Sequence, residues 1–404
     1  MGKVGTEETL QKILNVTSAI AKNTTDITKM SDIKAIVRAG MAKELFDIGD
    51  QIVVTWNDGS HDYECPFDVV SFDNVVRKSD GETVPGLWLQ AHWLIPGVQF
   101  DGNEAFWHCE EALAAGTYNI TMGNSWGSNV VSGKVYQFTL TQEVPAGGQL
   151  LFGTASSTTG GLPDQAPSNW RVWSYASQTA TEPIEKVTLT EGSSGTALGT
   201  LSSSTKYADT GVNNMQRASY GYNRWSQSGL RQYLNSDAAA GAWWTPQNVF
   251  DRPPSELTSK QGFMAGLPAD FLDAVEEVKV TTALNTVSDS QIGTTEDTWD
   301  KFFIASLEQE YCVPQLAGAE GAYWPYWKER LGIDNPQASG TAAALTEHIR
   351  YSIENHTSPQ TARLRSAHRG YATSTWSVYS TGSVGTSYTT ATYAYRFAPA
   401  CVIC

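Results

Sequence analysis

Six histidines and five cysteines are the residues through which this chain would hold a metal or attack a substrate. His61, His92, His108, His348, His356 and His368 stand in no H-E-x-x-H or H-x-x-E-H pattern, and none of them sits in a G-x-S-x-G context. There is no Walker A loop and no GxGxxG behind a strand, so nothing marks a phosphate cradle. His61-x3-Cys65 and His108–Cys109 would together offer one zinc ion four soft ligands. That spacing fits no strong zinc pattern, and two buried thiols with two surface histidines is the simpler reading. Cys401-x2-Cys404 is a lone CxxC without a partner pair, inside an apolar run that reads as a core strand. Trp56–Asn57–Asp58 spells a calcium-ligating triplet, but it falls where a hairpin should turn and is read as a turn. The carboxylate pairs Glu276/Glu277 and Glu308/Glu310 read as helix-surface charges. No catalytic residue, metal or cofactor is expected from these residues, and the chain is not expected to be an enzyme.

Recognition chemistry is better represented. Residues 371–395, "YATSTWSVYSTGSVGTSYTTATYAY", contain twelve Ser or Thr and five Tyr among 25 residues, and none is charged. No Asp or Glu follows Glu354, although the chain as a whole is acidic. Tyrosine gives a large contact area with few rotors to freeze, and small hydroxyls adapt around it, which is the chemistry of a paratope. A Thr/Tyr-rich β-hairpin has the same composition, since both residues favour strands. As a ligand-binding face the segment predicts exposure of Tyr371, Thr373, Ser374, Thr375, Ser377, Tyr379, Thr381, Ser383, Ser387, Tyr388, Thr389, Thr390, Thr392 and Tyr393. The flanks are of another kind. Arg363, Arg365 and Arg369 in "TARLRSAHRGY" are spaced for structural hydrogen bonds, Trp376 and Val378 should point inward, and "RFAPACVI" reads as a final core strand.

The elements that must position this segment follow from texture. Residues 6–48 read as helical: Ile13, Ile20 and Ile27 lie seven apart, with Val16, Asn23 and Met30 three after each. That pattern describes either an amphipathic helix packed on its own domain or a short oligomerising coiled coil. From 49 to 153 strand-like runs such as "QIVVTW", "FDVVSF" and "GLWLQAHWLI" alternate with turn signals and predict a β-sandwich-like domain. Ser, Thr, Gly and Pro from 154 to 165 predict a linker. Beyond 166 come helices at 224–236, with Trp225, Leu230 and Leu234 as the buried stripe, and at 267–278, and a possible short one at 341–354. The fold class expected is thus α+β. A net charge of −15 argues against nucleic acid and anionic membranes as partners, and no apolar run is long enough to span a bilayer. Met1 to Leu10 is polar, without the apolar stretch of a secretory signal. Five scattered cysteines, an odd count, predict free thiols and assembly in a reducing cytoplasm.

Several longer motifs, "NRWSQSGLRQYLNS", "TWDKFFIASLEQE", "YWPYWKER", "RLRSAHRGYA" and "YRFAPACVIC", resemble a family of phage and prophage proteins of gut Firmicutes with a C-terminal domain of the DUF6273 type. The layout R-S-A-x-R-G…W-x-V…F-A-P-A-C-V-I is similar to that of the variable proteins of diversity-generating retroelements. It is carried here by Arg365, Ser366, Arg369, Gly370, Trp376, Val378 and the last strand. The resemblance implies a C-type lectin fold over 166–404 and a variable ligand-binding face over 371–393. It implies a homotrimer through the N-terminal helix, assembly with other virion proteins in a tail or other surface structure, and a bacterial cell-surface receptor, protein or glycan, as partner. The variable stretch lacks the asparagines that the family's adenine-directed mutagenesis starts from. A formylglycine-generating-like enzyme on a related fold and a bacterial surface adhesin are the competing implications.

Overall fold

The computed structural model describes residues 29–102, 107–109, 111–123, 129–156, 165–177, 180, 182–201, 220–247, 251–287, 289, 292–386 and 389–404. Strict alternation in "QIVVTWN" builds strand β1 (Gln51–Asn57), which turns Ile52, Val54 and Trp56 inward and leaves the residues between them exposed. The turn that follows is made by Asp58, whose Oδ1 accepts the amides of Ser60 and His61 at 2.8 Å each. The chain returns as β2 (Asp62–Ser71) and continues to β3 (Leu87–Ala91). Far along the chain come β4 (Val278–Ala283), β5 (Thr295–Asp300), β6 (Phe302–Ile304), β7 (Ala362–Ala367), β8 (Thr375–Val378), β9 (Val384–Gly385) and β10 (Pro399–Ile403).

The central sheet runs β1-β2-β3-β10-β6. Strand β10 is interior to it: Cys401 lies opposite Leu89 on one side and Phe302 on the other. A strand covered on both faces should be apolar throughout, and Pro399 to Ile403 are all buried. One hydrophobic core therefore unites residues 30–100 with 225–404. A second core, built on Ile120, Phe138, Phe152, Trp170 and Val172, belongs to a lobe of two four-stranded sheets between residues 107 and 201. In that lobe Thr196–Leu201 pairs in parallel with Gly116–Met122.

Three expectations are corrected. The described residues are mostly β, with five short helices, and not the expected α+β layout headed by a coiled coil. Helix α1 (Met30–Arg38) packs Met30, Ile33 and Val37 into the main core, and Lys34 and Arg38 bind Glu276 at 2.7 and 3.0 Å. The heptad over 6–28 lies outside the described residues. Boundaries drawn from texture at 49, 154 and 166 are not where the cores divide, because strands from 51–91 share a sheet with the C-terminus while 107–201 forms its own core. Local periodicity registers a strand but not its partner, which is why a lobe interrupting the main core was not visible. The helix expected over 224–236 is α2 (Gly229–Leu234) behind a single 3-10 turn, with Trp225, Leu230 and Leu234 buried. Over 341–354 there are two 3-10 turns instead of an α-helix. No described helix is long and apolar enough to cross a membrane.

Two cores imply two units of local stability. Leu89→Ala in the main core and Ile120→Ala in the lobe should each cost about 2–5 kcal/mol. Amide exchange should quicken in the mutated core and stay slow in the other. Equal loss of protection in both would show a single cooperative core.

Candidate binding site

Residues 371–393 are carried by the antiparallel sheet β7-β8-β9 and the loop that follows it. They do not form one exposed face. Tyr371 and Tyr393 are about half exposed, at 51% and 50%, and Thr381 is exposed. Ser374, Tyr379, Thr390 and Thr392 are half-buried. Thr373, Thr375, Ser377, Ser383 and Thr389 are buried, which removes them from a single exposed face. Ser387 and Tyr388 lie outside the described residues. Strand β8 is the middle strand of its sheet, so both its edges are paired, and all four of its residues are buried, Trp376 and Val378 among them.

What holds the segment is a buried guanidinium. Arg363 on β7 donates to Thr375 Oγ1 at 2.5 Å and to the carbonyls of Thr389, Thr390 and Tyr393 at 3.2, 2.8 and 2.8 Å. It lies 5.7 Å from the ring of Phe100 and 5.3 Å from that of Tyr395. Burial pushes its pKa down to about 9, and it remains a cation at neutral pH. Arg365 is aimed elsewhere. It donates to the carbonyls of Ile304, Thr281 and Glu320, at 2.9, 3.2 and 2.7 Å, and so ties β7 to β6 and β4 instead of to residues 371–393. Arg369 donates to the carbonyl of Leu284 at 2.9 Å.

Two anchors were missed in the sequence. Asn223 Nδ2 reaches the carbonyls of Tyr371 and Ser374 at 2.8 and 2.7 Å, pinning the 368–374 loop. Gln337 Nε2 donates to the carbonyls of Ala343 and Gly382 at 2.7 and 2.8 Å, pinning the 379–383 turn. Lone amides in loops carry no periodic signal, so nothing short of the fold points to them. Gln337 is itself fixed by His348, whose Nδ1 is 2.5 Å from Gln337 Oε1 and whose Nε2 is 3.0 Å from Glu310 Oε2. Glu310 also meets Gln90 at 2.6 Å and Arg350 at 3.4 Å, all four side chains being buried. The surface reading of Glu308 and Glu310 is thus corrected: both are buried, and Glu308 accepts backbone amides of Gly318 and Glu320. Burial alone would raise the Glu310 carboxyl. The hydrogen bond from His348 and the charge of Arg350 outweigh it and hold Glu310 below the usual range.

Beside this frame lies a recess of about 250 Å³ between residues 339–341 and 383–386, with Trp376 and Tyr379 in its lining. Its two walls are joined backbone to backbone, Gly340 N to Val384 O at 2.9 Å and Leu345 N to Gly382 O at 3.1 Å. Gly382 has φ +79°, and a Cβ there would lie 1.9 Å from Leu345 O, so only glycine allows this approach. Trp376 stacks on His368 at 5.7 Å and His368 contacts Tyr371 at 4.7 Å, an aromatic strip running from the recess to exposed Tyr371. Burial pushes His368 below its ordinary value, which keeps the strip neutral at pH 7.

Among the described residues the cysteine and histidine groupings weighed in the sequence do not converge. All five cysteines are free and buried, and burial raises every thiol, the opposite of an activated nucleophile. Cys65 and Cys109 belong to different cores, so the zinc grouping does not converge. Among the described residues no cluster of three or more His, Cys, Asp or Glu could hold a metal.

Fold and site define a β-rich protein with a buried polar frame under an uncharged Tyr/Ser/Thr segment. The domain of unknown function DUF6273 matches residues 200–403, just over half of the chain, and the chain belongs to that family. No curated protein and no solved structure matches it.

Arg363→Ala should leave three carbonyls of the 389–393 loop without their donor and lower stability by about 3 kcal/mol or more. Ser377→Ala should be neutral or stabilising, since Ser377 Oγ is buried with no hydrogen-bond partner among the described residues. Chemical denaturation of both variants checks this, and equal midpoints for Arg363→Ala and wild type would remove Arg363 from the frame. Glu310 titrates lower in the folded than in the unfolded chain. Its contribution is therefore present above pH ~4.5 and is lost as pH falls through the folded value. Glu310→Gln should flatten stability against pH below ~4.5, and an unchanged acid slope would contradict the assignment.

Proposed function

We propose that this protein is a non-enzymatic, retroelement-diversified recognition protein of a phage, which binds a bacterial cell-surface receptor through residues between 371 and 393. The observation that carries the reading is how the segment is held. Arg363, Asn223 and Gln337 grip it by backbone carbonyls, which every residue type presents. Side chains at exposed positions are then free to change without loss of the frame. Uncharged Tyr and small hydroxyls at those positions supply ring burial with adaptable polar neighbours. Motif resemblance beyond the DUF6273 match supports the same reading.

The contact surface proposed is smaller than the composition implied. It centres on Tyr371, Thr381 and Tyr393, with Ser374, Tyr379, Thr390 and Thr392 at their margins. The protein would be made in the host cytoplasm and carried in the virion with other virion proteins. Assembly as a homotrimer would multiply weak single sites through effective concentration. Partners of this kind include neither nucleic acid nor an inserted membrane segment, in keeping with a net charge of −15.

Tyr371→Ala and Tyr393→Ala combined should preserve the thermal midpoint, since surface changes stay within about 0.5 kcal/mol, and should abolish adsorption to the host cell. Normal adsorption by the folded double variant would refute the proposed surface. Light scattering should report a trimer at micromolar concentration, and a monomer there would overturn the proposed assembly.

A further inference from the structure

We infer that the recess beside Trp376 and Tyr379 is a subsite for one neutral saccharide ring. This deepens the receptor reading and rests on it for its biological role, though not for its chemistry. A saccharide is a neutral ligand with apolar C–H faces and a hydroxyl rim, and the recess offers the complement of each. Trp376, Tyr379 and Val384 supply apolar wall. Ser339, Thr341, Ser383 and Thr386 supply hydroxyls, which both donate and accept. The hydroxyl of Ser383 already meets Thr381 at 2.9 Å, whereas Ser339 and Thr341 are exposed on the rim.

Charge narrows the ligand further. Among the described residues lining the recess there is no Lys, Arg, Asp or Glu to pair with a phosphate or an ammonium group. Size narrows it again. A volume of about 250 Å³ falls just short of the roughly 300–1,000 Å³ that takes a drug-sized molecule. It suits a single ring, at the end of or within a longer glycan. Rigidity completes the case. The two walls are hydrogen-bonded to each other and tied by Gln337 and His348 to buried Glu310, so little ordering is left to be done on binding. The neutral strip Trp376–His368–Tyr371 extends from the recess towards the exposed surface and offers rings to the next residue of a chain.

The test titrates the full chain with methyl glycosides of glucose, galactose, mannose and N-acetylglucosamine at millimolar concentration. Tryptophan fluorescence and saturation-transfer NMR read the binding. At least one glycoside should bind saturably, and Tyr379→Ala should weaken it about tenfold, the equivalent of ~1.4 kcal/mol. Because Tyr379 also contacts Gly385, a second variant, Thr341→Trp, fills the recess from its exposed rim. It should abolish binding with an unchanged thermal midpoint. Failure of all four glycosides to bind saturably overturns the inference, as does binding that neither variant changes. Adsorption separates the two readings. Adsorption that depends on Tyr371 and Tyr393 but is inhibited by no glycoside, as with a protein receptor whose side chain fills the recess, overturns the saccharide subsite and leaves the receptor reading standing. Saturable glycoside binding lost in Thr341→Trp, by a chain that never adsorbs to the host, supports the subsite and removes the receptor reading.

Discussion

Pairing of the last strand with the third makes the rest of this molecule possible. Pro399–Ile403 enters between Leu87–Ala91 and Phe302–Ile304, so the sheet cannot close until the final residues of the chain are in place. That insertion brings residues 30–100 into one core with 225–404 and leaves 107–201 to fold around a core of its own. Its contacts join residues some three hundred positions apart, and a closure of that kind is slow to find. The return is a single rigid body beneath the sheet β7-β8-β9. Cys401 and Cys404 belong to this arrangement as small buried side chains of the core.

Upon that body the polar interior is organised by satisfied charge. A guanidinium stripped of water is tolerated when most of its donors are used, and Arg363 and Arg365 spend theirs mainly on carbonyl oxygens, with Arg363 Nε left without a partner among the described residues. Glu310 is the anionic counterpart. It is shared by Gln90, His348 and Arg350, and it transmits its position through Gln337 to the turn at Gly382. Each of these links crosses between elements distant in sequence. Loops that would otherwise sample many conformations are therefore held by the core and not by their own side chains.

How much of this is legible in the sequence depends on the range of the interaction. Ile52, Val54 and Trp56 betray β1 by alternation alone, and Trp225, Leu230 and Leu234 betray a buried stripe. The inward direction of Trp376 and Val378 follows from the motif they share. Sheet partners do not follow, since an apolar run such as "ACVI" pairs equally well with any strand of matching length. Composition misled in one place for a physical reason: Thr and Ser are as welcome in a central strand as on a surface, so Thr375 and Ser377 count towards a paratope by type and towards the core by position. Glu310 misled in the same way, because a carboxylate is read as exposed until its partners, His348 and Arg350, are seen.

Those two errors bear on what kind of surface this is. A segment that must both vary and stay folded has to separate the atoms that hold it from the atoms that are read. Here the holding atoms are backbone carbonyls of residues 371, 374, 382, 389, 390 and 393, and the buried Thr375 Oγ1, bound by side chains that lie outside the segment. Replacing Tyr371 or Tyr393 removes no accepting carbonyl, whereas replacing Arg363 removes the donor to three. The exception is Gly382, where any side chain would strike Leu345. Invariance is thus demanded at the flanking arginine and at one glycine, and freedom is left at the exposed aromatic and hydroxyl positions. That division, which the backbone imposes, is what the proposed diversified face would require.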